Sequence, residues 1–215
     1  GRSGRCVNAL VGSGSMKLSK FGEKFTRQAG ILSLMDDLGR ALASDREDLI
    51  MMGGGNPGHI PQMQDVVRQR LQDLLADPDK LHRLVGVYGP PQGDWDFIKA
   101  LAQLLNRECG WDVGPENIAL TNGSQSAFFL LFNMFAGPCS DSSQRQILLP
   151  LTPEYIGYAD AGLSDHFFAA ARPDIEFIDA HTFKYRVNFD ALNITQQTGA
   201  LCVSRPTNPT GNVLT

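Results

Sequence analysis

Residues 121–127 (TNGSQSA) have a composition suited to holding an anion, since small and polar residues here open an apolar helical pattern. The backbone N–H groups of a first helical turn are unpaired and lie at the positive end of the helix dipole. Ser124 and Ser126 add hydroxyl donors. The pattern therefore indicates a phosphate site, with a helix N-cap that binds no ligand as the alternative, because Asn and Ser are ordinary capping residues.

Two later segments present an aromatic ring and an amide. In residues 150–158 (PLTPEYIGY), two prolines stiffen the chain and present Tyr155 as a flat face suited to stacking on a planar heterocycle. In residues 204–212 (SRPTNPTGN), turn-forming residues flank Asn208, whose amide can donate to an oxygen of a bound ring. Taken alone, these segments favour a core tyrosine and a plain turn. Together with the anion site, they are what a flat phosphorylated cofactor requires.

Each of these segments follows a short apolar run, and the runs alternate with helical patterns. Such alternation is typical of βαβ units wound on a mostly parallel sheet, in which ligands bind at the carboxyl ends of the strands. Residues 16–43 have loosely helical spacing interrupted by glycines. The predicted helices cover residues 61–76, 95–109, 124–136 and 155–162, and the predicted strands cover residues 49–52, 118–120, 147–149, 175–178 and 201–203.

Composition excludes several classes of protein. The 215 residues are 42% hydrophobic and 20% charged, a balance typical of a globular protein. A formal net charge of −4 provides no basic field for nucleic acid, and the longest apolar run, residues 127–136, is too short to cross a membrane. Scattered cysteines and histidines indicate neither a metal site nor a disulfide framework, and favour a reducing, cytoplasmic location.

With these three segments, the chain resembles the fold type I, pyridoxal-phosphate-dependent aminotransferases over about residues 16–215. NPTG is shared across that superfamily, whereas TNGSQSAFF and PEYIGYADAGL narrow the resemblance to the valine–pyruvate aminotransferases. The resemblance implies an α/β class, three-layer αβα PLP-transferase-like fold with a mostly parallel sheet. The motifs that carry it are GGGNP (53–57), YGPPQG (88–93), ALTNGSQSAFF (119–129), PEYIGYADAGL (153–163) and SRPTNPTGN (204–212).

The resemblance also assigns roles to the residues of the three segments. It implies that Gly123, Ser124 and Gln125 hold the phosphate of pyridoxal 5'-phosphate. Tyr155 would stack on the pyridine ring, and Asn208 would donate to its phenolic oxygen. Such contacts tune the cofactor as an electron sink.

Further positions follow from the same resemblance. Gly55 matches a glycine whose backbone lies against the substrate carboxylate, and Tyr88 matches a tyrosine that reaches the cofactor phosphate of the neighbouring subunit. A homodimer with a shared active site is therefore expected. Thr152–Pro153 and Asn208–Pro209 are candidates for cis peptide bonds. For Arg205, we expect pairing within the protein rather than contact with the cofactor.

Three groups that the reaction needs lie downstream of NPTG in the family: the Schiff-base lysine, the Asp opposite the pyridine nitrogen and the Arg that binds the substrate carboxylate. The last lysine here is Lys184, and none matches the Schiff-base position. We therefore expect a C-terminally truncated chain without a catalytic residue, inactive alone. Residues 1–15 are interpreted as upstream or added sequence, 16–60 as an arm with part of a small domain, and 61–215 as the incomplete first part of the large PLP-binding domain.

The expected reaction moves an amino group between valine or alanine and pyruvate or 2-oxoisovalerate. Another fold type I enzyme, such as a broad aminotransferase or a β-lyase, is the first alternative. A non-catalytic, aminotransferase-like binding or regulatory protein is the second. A nucleotide loop at residues 53–58 has little support, because GGGNPG lacks GxGxxG and the Walker lysine.

Overall fold

The computed structural model describes residues 17–27, 30–44, 48, 50 and 57–214. The chain divides into two compact units, the first within Gly1–Asp45 and Phe128–Thr215 and the second within Arg46–Ala127. The described helices are α1 (Lys20–Phe25), α2 (Gly30–Leu42), α3 (Pro61–Ala76), α4 (Pro78–Gly86), α5 (Trp95–Cys109) and α6 (Ser124–Phe135). The described strands are β1 (Gly137–Pro138), β2 (Gln144–Leu149), β3 (Phe168–Ala170), β4 (Asp174–Phe177), β5 (Phe183–Arg186) and β6 (Thr198–Leu201).

The helices of the second unit begin and end at identifiable capping residues. Pro61 opens α3, where its missing N–H costs nothing. The carboxylate of Asp94 accepts from the N–H of Phe97 and caps α5, which ends at Gly110 in the left-handed conformation. Both helices confirm the sequence prediction. Ile98 and Ala102 are the buried residues of α5.

The predicted strand at residues 118–120 is wrong. The N–H of Leu120 donates to the carbonyl of Gln92 (2.8 Å), and the Gln92 side chain donates to the carbonyls of Pro115 (2.8 Å) and Ile118 (2.6 Å). Gln92 therefore occupies the backbone groups that a neighbouring strand would need. This glutamine belongs to the YGPPQG motif, and it holds residues 115–120, which lead to the first turn of α6.

The sheet of the first unit is built around β2. Its Ile147 and Leu148 are buried, and β3 and β6 pair with it in parallel on opposite sides. The short β1 pairs with the start of β2 in antiparallel direction. Because β2 and β6 are parallel neighbours, the loops that follow them leave the sheet at the same edge. The prediction of parallel strands is confirmed.

Three further predicted elements differ from the structure. The strand predicted at residues 201–203 is found at Thr198–Leu201, as β6. Residues 155–162 form only a 3-10 turn at Ile156–Tyr158 instead of a helix. The predicted strand at residues 175–178 exists as β4, but it pairs with β5 in a separate antiparallel sheet, and all four residues of β4 are exposed. Its apolar residues therefore do not belong to the parallel sheet.

Polar side chains hold α1 and α6 against the loop that contains PEYIGYADAGL. The amide of Asn133, within apolar α6, donates to the carbonyl of Ala161 (2.8 Å) and accepts from the N–H of Leu163 (2.9 Å). The ammonium group of Lys24 donates to the carbonyls of Gly162 (2.5 Å) and Ser164 (2.9 Å). These bonds occupy backbone groups of residues 161–164, so this segment does not continue as a helix.

None of the helices in the described ranges is long and apolar enough to cross a membrane. The described residues also contain no group of three or more His, Cys, Asp or Glu side chains placed to hold a metal ion.

Candidate functional site

The loop after β2 fixes Tyr155 against a buried aromatic ring. The Thr152–Pro153 bond is cis, as predicted, and the Thr152 hydroxyl donates to the carbonyl of Ala171 (3.0 Å). Tyr155 is half-buried, with its ring centroid 5.3 Å from that of Tyr158 at an interplanar angle of 80°. This edge-to-face contact sets the angle of the Tyr155 ring, because Tyr158 is itself part of the core.

The loop after β6 closes into a tight turn that carries Asn208. The N–H of Thr207 donates to the carbonyl of Asn212 (3.0 Å), and the N–H of Gly211 donates to the carbonyl of Thr207 (2.6 Å). The Asn208–Pro209 bond is cis as predicted. Asn208 is exposed, and its side chain has no hydrogen-bond partner among the described residues. Its amide is therefore free to donate to a ligand.

Arg205 and Glu154 form a buried ion pair between these two loops. The Nη1 and Oε2 atoms are 2.8 Å apart, and the side chains are 10% and 2% exposed. The expectation that Arg205 pairs within the protein is confirmed. Neither Glu154 nor a third cis bond, Arg205–Pro206, was predicted from the sequence. An acidic residue between Pro153 and Tyr155 was the available signal for Glu154.

Beneath this pair, Tyr158 and Cys202 remain neutral at physiological pH. Burial raises the pKa of the Tyr158 hydroxyl above its usual value, and a hydrogen bond with Ser204 opposes this effect in part. Burial also raises the pKa of the Cys202 thiol, and the negative charge of Glu154 adds to the increase. Neither side chain therefore adds a charge next to the ion pair.

These two pKa shifts predict that the protein loses stability in alkali. A group whose pKa is raised on folding contributes stability below its usual pKa, and this contribution is lost as the pH rises through the folded value. For Cys202 and Tyr158 the loss begins above the usual values of 9.0 and 10.0. The free energy of unfolding, measured by urea titration over this range, should fall less steeply in a Cys202→Ala/Tyr158→Phe variant. An unchanged slope would contradict the assignment.

The first turn of α6, which belongs to the second unit, is open at Gly123. Gly123 has a φ of +81° and no atom within 4 Å of the position that a Cβ would take. Ser124 and Gln125 are exposed, and no described residue accepts from their backbone N–H groups. The Ser126 hydroxyl, in contrast, donates to the carbonyl of Asn122 (3.1 Å) and is not free for a ligand.

The structure places most of the predicted site residues and groups them by unit. Tyr88 is fully exposed at 103% of its reference area. Gly55 lies outside the described residues, with most of the GGGNP motif. Tyr155 and Asn208 belong to the first unit, where the Glu154–Arg205 pair joins their loops, and Tyr88, Gly123, Ser124 and Gln125 belong to the second.

Known proteins share both the sequence and the fold. The chain is 52% identical over 200 residues to the valine–pyruvate aminotransferase of Escherichia coli (strain K12), covering 93% of this chain and 47% of that protein. The crystal structure of valine–pyruvate aminotransferase from Salmonella typhimurium LT2 matches with a TM-score of 0.69 and 50% identity, over 86% of this chain and 44% of that one.

A provisionally named amino-acid aminotransferase from Psychrobacter arcticum 273-4 matches with a TM-score of 0.82 and 47% identity, over 93% of this chain and 49% of that one. The chain thus spans about half the length of the relatives it matches. These likenesses confirm the α/β, fold type I architecture that the motifs predicted. The family model for class I and II aminotransferases matches residues 47–215. The chain therefore belongs to the class I and II aminotransferase family.

Proposed function

We propose that the full-length protein is a pyridoxal-phosphate-dependent aminotransferase that exchanges the amino group of valine or alanine with pyruvate or 2-oxoisovalerate. The observation that carries this proposal is the pair of loops after β2 and β6. They leave one sheet edge, are joined by a buried ion pair, and carry a half-buried aromatic ring and a free amide. The 52% identity to a valine–pyruvate aminotransferase supports the choice of substrates.

The residues present fit this cofactor. Tyr155 offers a ring whose angle is fixed by Tyr158, and the Asn208 amide has an unused donor. The open first turn of α6, with free N–H groups at Ser124 and Gln125, suits a phosphate. When bound, pyridoxal phosphate supplies the electron sink for the reaction. The chain's own residues would bind and orient it: Gly123, Ser124 and Gln125 at the phosphate, Tyr155 at the ring face and Asn208 at the phenolic oxygen.

We further propose that the active site is shared between two subunits. The Tyr88 residue is fully exposed and is not buried by its own unit, as expected for a side chain that reaches into a partner subunit. Gly55 would lie against the substrate carboxylate. A homodimer would then be the active form, with a small amino acid and a 2-oxo acid as its ligands.

The test is to supply the full-length protein with pyridoxal phosphate, valine and pyruvate and to measure alanine by coupled assay. We expect turnover of valine with pyruvate, and of alanine with 2-oxoisovalerate, to exceed that of aspartate with 2-oxoglutarate. Preference for the aspartate pair would overturn the proposed substrates. Cofactor binding without amino-group transfer to any of these oxo acids would favour a β-lyase or a non-catalytic protein instead.

A further inference from the structure

The ion pair between Glu154 and Arg205 connects two loops that are distant in the chain. Its partners are separated by 51 positions, and the loops follow the parallel neighbours β2 and β6. Both side chains are at least nine-tenths buried. Removing charges from water is costly, and the attraction between them offsets that cost only in good geometry with further hydrogen bonds. The further bonds show what this pair does.

On the side of the first loop, the carboxylate of Glu154 uses both oxygens. Oε2 accepts from Arg205, and Oε1 accepts from the backbone N–H of Tyr155 (3.1 Å). Arg205 therefore orients a carboxylate that in turn holds the backbone of Tyr155. A rotation of Glu154 away from Arg205 would release that N–H.

On the side of the second loop, Arg205 bonds to the base of the turn that carries Asn208. Its Nη1 donates to the Thr207 hydroxyl (2.5 Å) and to the carbonyl of Ser204 (2.5 Å). Its Nη2 donates back to the carbonyl of Leu151 (3.2 Å) in the first loop. One guanidinium thus bonds to both loops, and its planar shape fixes the angle between these bonds.

The guanidinium is directed at the protein rather than at a ligand. Both terminal nitrogens are used by described residues. The remaining nitrogen, Nε, has no partner among the described residues, but it is inaccessible to solvent. Direct recognition of a phosphate by Arg205 would need exposed nitrogens.

We propose that Glu154 and Arg205 are positioning residues that hold the Tyr155 loop and the Asn208 loop in a fixed relation and thereby set the affinity for pyridoxal phosphate. The inference rests on the proposed function, because it concerns the same cofactor. It extends that function to two residues that touch neither cofactor nor substrate. A role in stability alone makes a different prediction, since apolar residues often replace a buried ion pair without loss of stability.

The experiment compares Glu154→Leu, Arg205→Met and the double variant in the full-length protein. Each single variant should have a lower thermal midpoint. Each should also have an about 10-fold higher dissociation constant for pyridoxal phosphate, as measured by absorbance titration of the cofactor-free protein. The double variant should recover much of the midpoint, because no unpaired charge remains buried. Its cofactor affinity should stay about 10-fold weak, because the Tyr155 N–H has lost its acceptor.

Glu176→Leu is the matched control, because Glu176 forms an exposed ion pair with Arg186 between β4 and β5. It should leave both the midpoint and the cofactor affinity unchanged. Thr207→Val provides a milder change that keeps both charges and removes only the hydroxyl that accepts from Arg205. It should weaken cofactor binding about 3-fold, and it tests the inference if the charge variants do not fold.

The outcomes separate the two proposals. A double variant with wild-type affinity, or a Thr207→Val variant with unchanged affinity, would overturn the positioning role while leaving the proposed function intact. A wild-type protein that does not bind pyridoxal phosphate would overturn the proposed function and this inference with it. A shifted absorbance maximum of the bound cofactor in the double variant would support the inference, because a change in stability alone does not move the band.

Discussion

Replacing Gly123 by valine is expected to weaken pyridoxal phosphate binding to the full-length protein by about 100-fold, equivalent to about 2.7 kcal/mol. Gly123 has a φ of +81°, which a β-branched residue adopts only with strain. The space beside it is open and lies at the first turn of α6, where we propose that the phosphate binds. A branched side chain would occupy that space and shift the free N–H groups of Ser124 and Gln125.

Gly110→Val is the matched control for this prediction. Gly110 also has a positive φ, +66°, and open space where a Cβ would stand, but it ends α5 and is not part of the first turn of α6. This variant should have a lower thermal midpoint and an unchanged cofactor affinity. If both variants lost affinity equally, the loss would reflect instability, and the phosphate assignment would be contradicted.

The substitution Gly199→Ala should lower the free energy of unfolding by about 3 kcal/mol, a large effect for a single methyl group. Gly199 lies in β6, and a Cβ there would stand 1.8 Å from the carbonyl oxygen of Phe135 at the end of α6. The obstructing atom belongs to the backbone, so a rotamer change cannot relieve the clash. Strand β6 or the end of α6 would have to move, with partial loss of the β2–β6 pairing.

Gly39→Ala provides the opposite result from the same substitution. Gly39 lies within α2 with no atom within 4 Å of its Cβ position, so alanine should increase stability by about 0.5–1 kcal/mol through helix propensity. Urea titration of the two variants beside the wild type measures both effects. Equal midpoints for the Gly199→Ala variant and the wild type would contradict the close contact between Gly199 of β6 and the end of α6.

The helices were predictable wherever a long apolar periodicity ran between recognisable ends. Pro61 and Gly110 mark such ends for α3 and α5, and both helices were predicted correctly. Helix α4 has no counterpart among the predicted helices, because Asp77 and Pro78 are residues typical of a helix end. In the structure Asp77 ends one helix and caps the next, accepting from the N–H groups of Asp79 and Lys80.

Strands were less predictable because each depends on a partner elsewhere in the chain. The run at residues 118–120 is apolar enough for a strand. Instead, the N–H of Leu120 donates to the carbonyl of Gln92, and the Gln92 side chain donates to the carbonyl of Ile118. Likewise, β4 has a strand-like sequence but pairs with β5 and stays exposed. Local composition indicates an extended segment and leaves its pairing undetermined.

The candidate site shows the same division between local and distant effects. The turn chemistry of residues 204–212 and the proline-flanked Tyr155 were readable from neighbouring residues, whereas two of the three cis bonds were predicted from the family resemblance. The ion-pair partner of Arg205 could not be predicted in this way, because Glu154 contacts Arg205 only when β2 and β6 are paired in the sheet. The cofactor and substrate roles of all the candidate residues remain predictions: Tyr155, Asn208, Gly123, Ser124, Gln125, Gly55 and Tyr88.

The position of β2 between β3 and β6 has a consequence for synthesis on the ribosome. Strand β2 emerges before β3, and β6 emerges only after β4 and β5 have been made. Until Thr198–Leu201 leaves the exit tunnel, residues 146–148 of β2 therefore lack the strand that pairs with them on this side, and unpaired backbone groups are a template for association with other nascent chains. Chaperone binding to translating ribosomes should accordingly decrease once β6 has emerged.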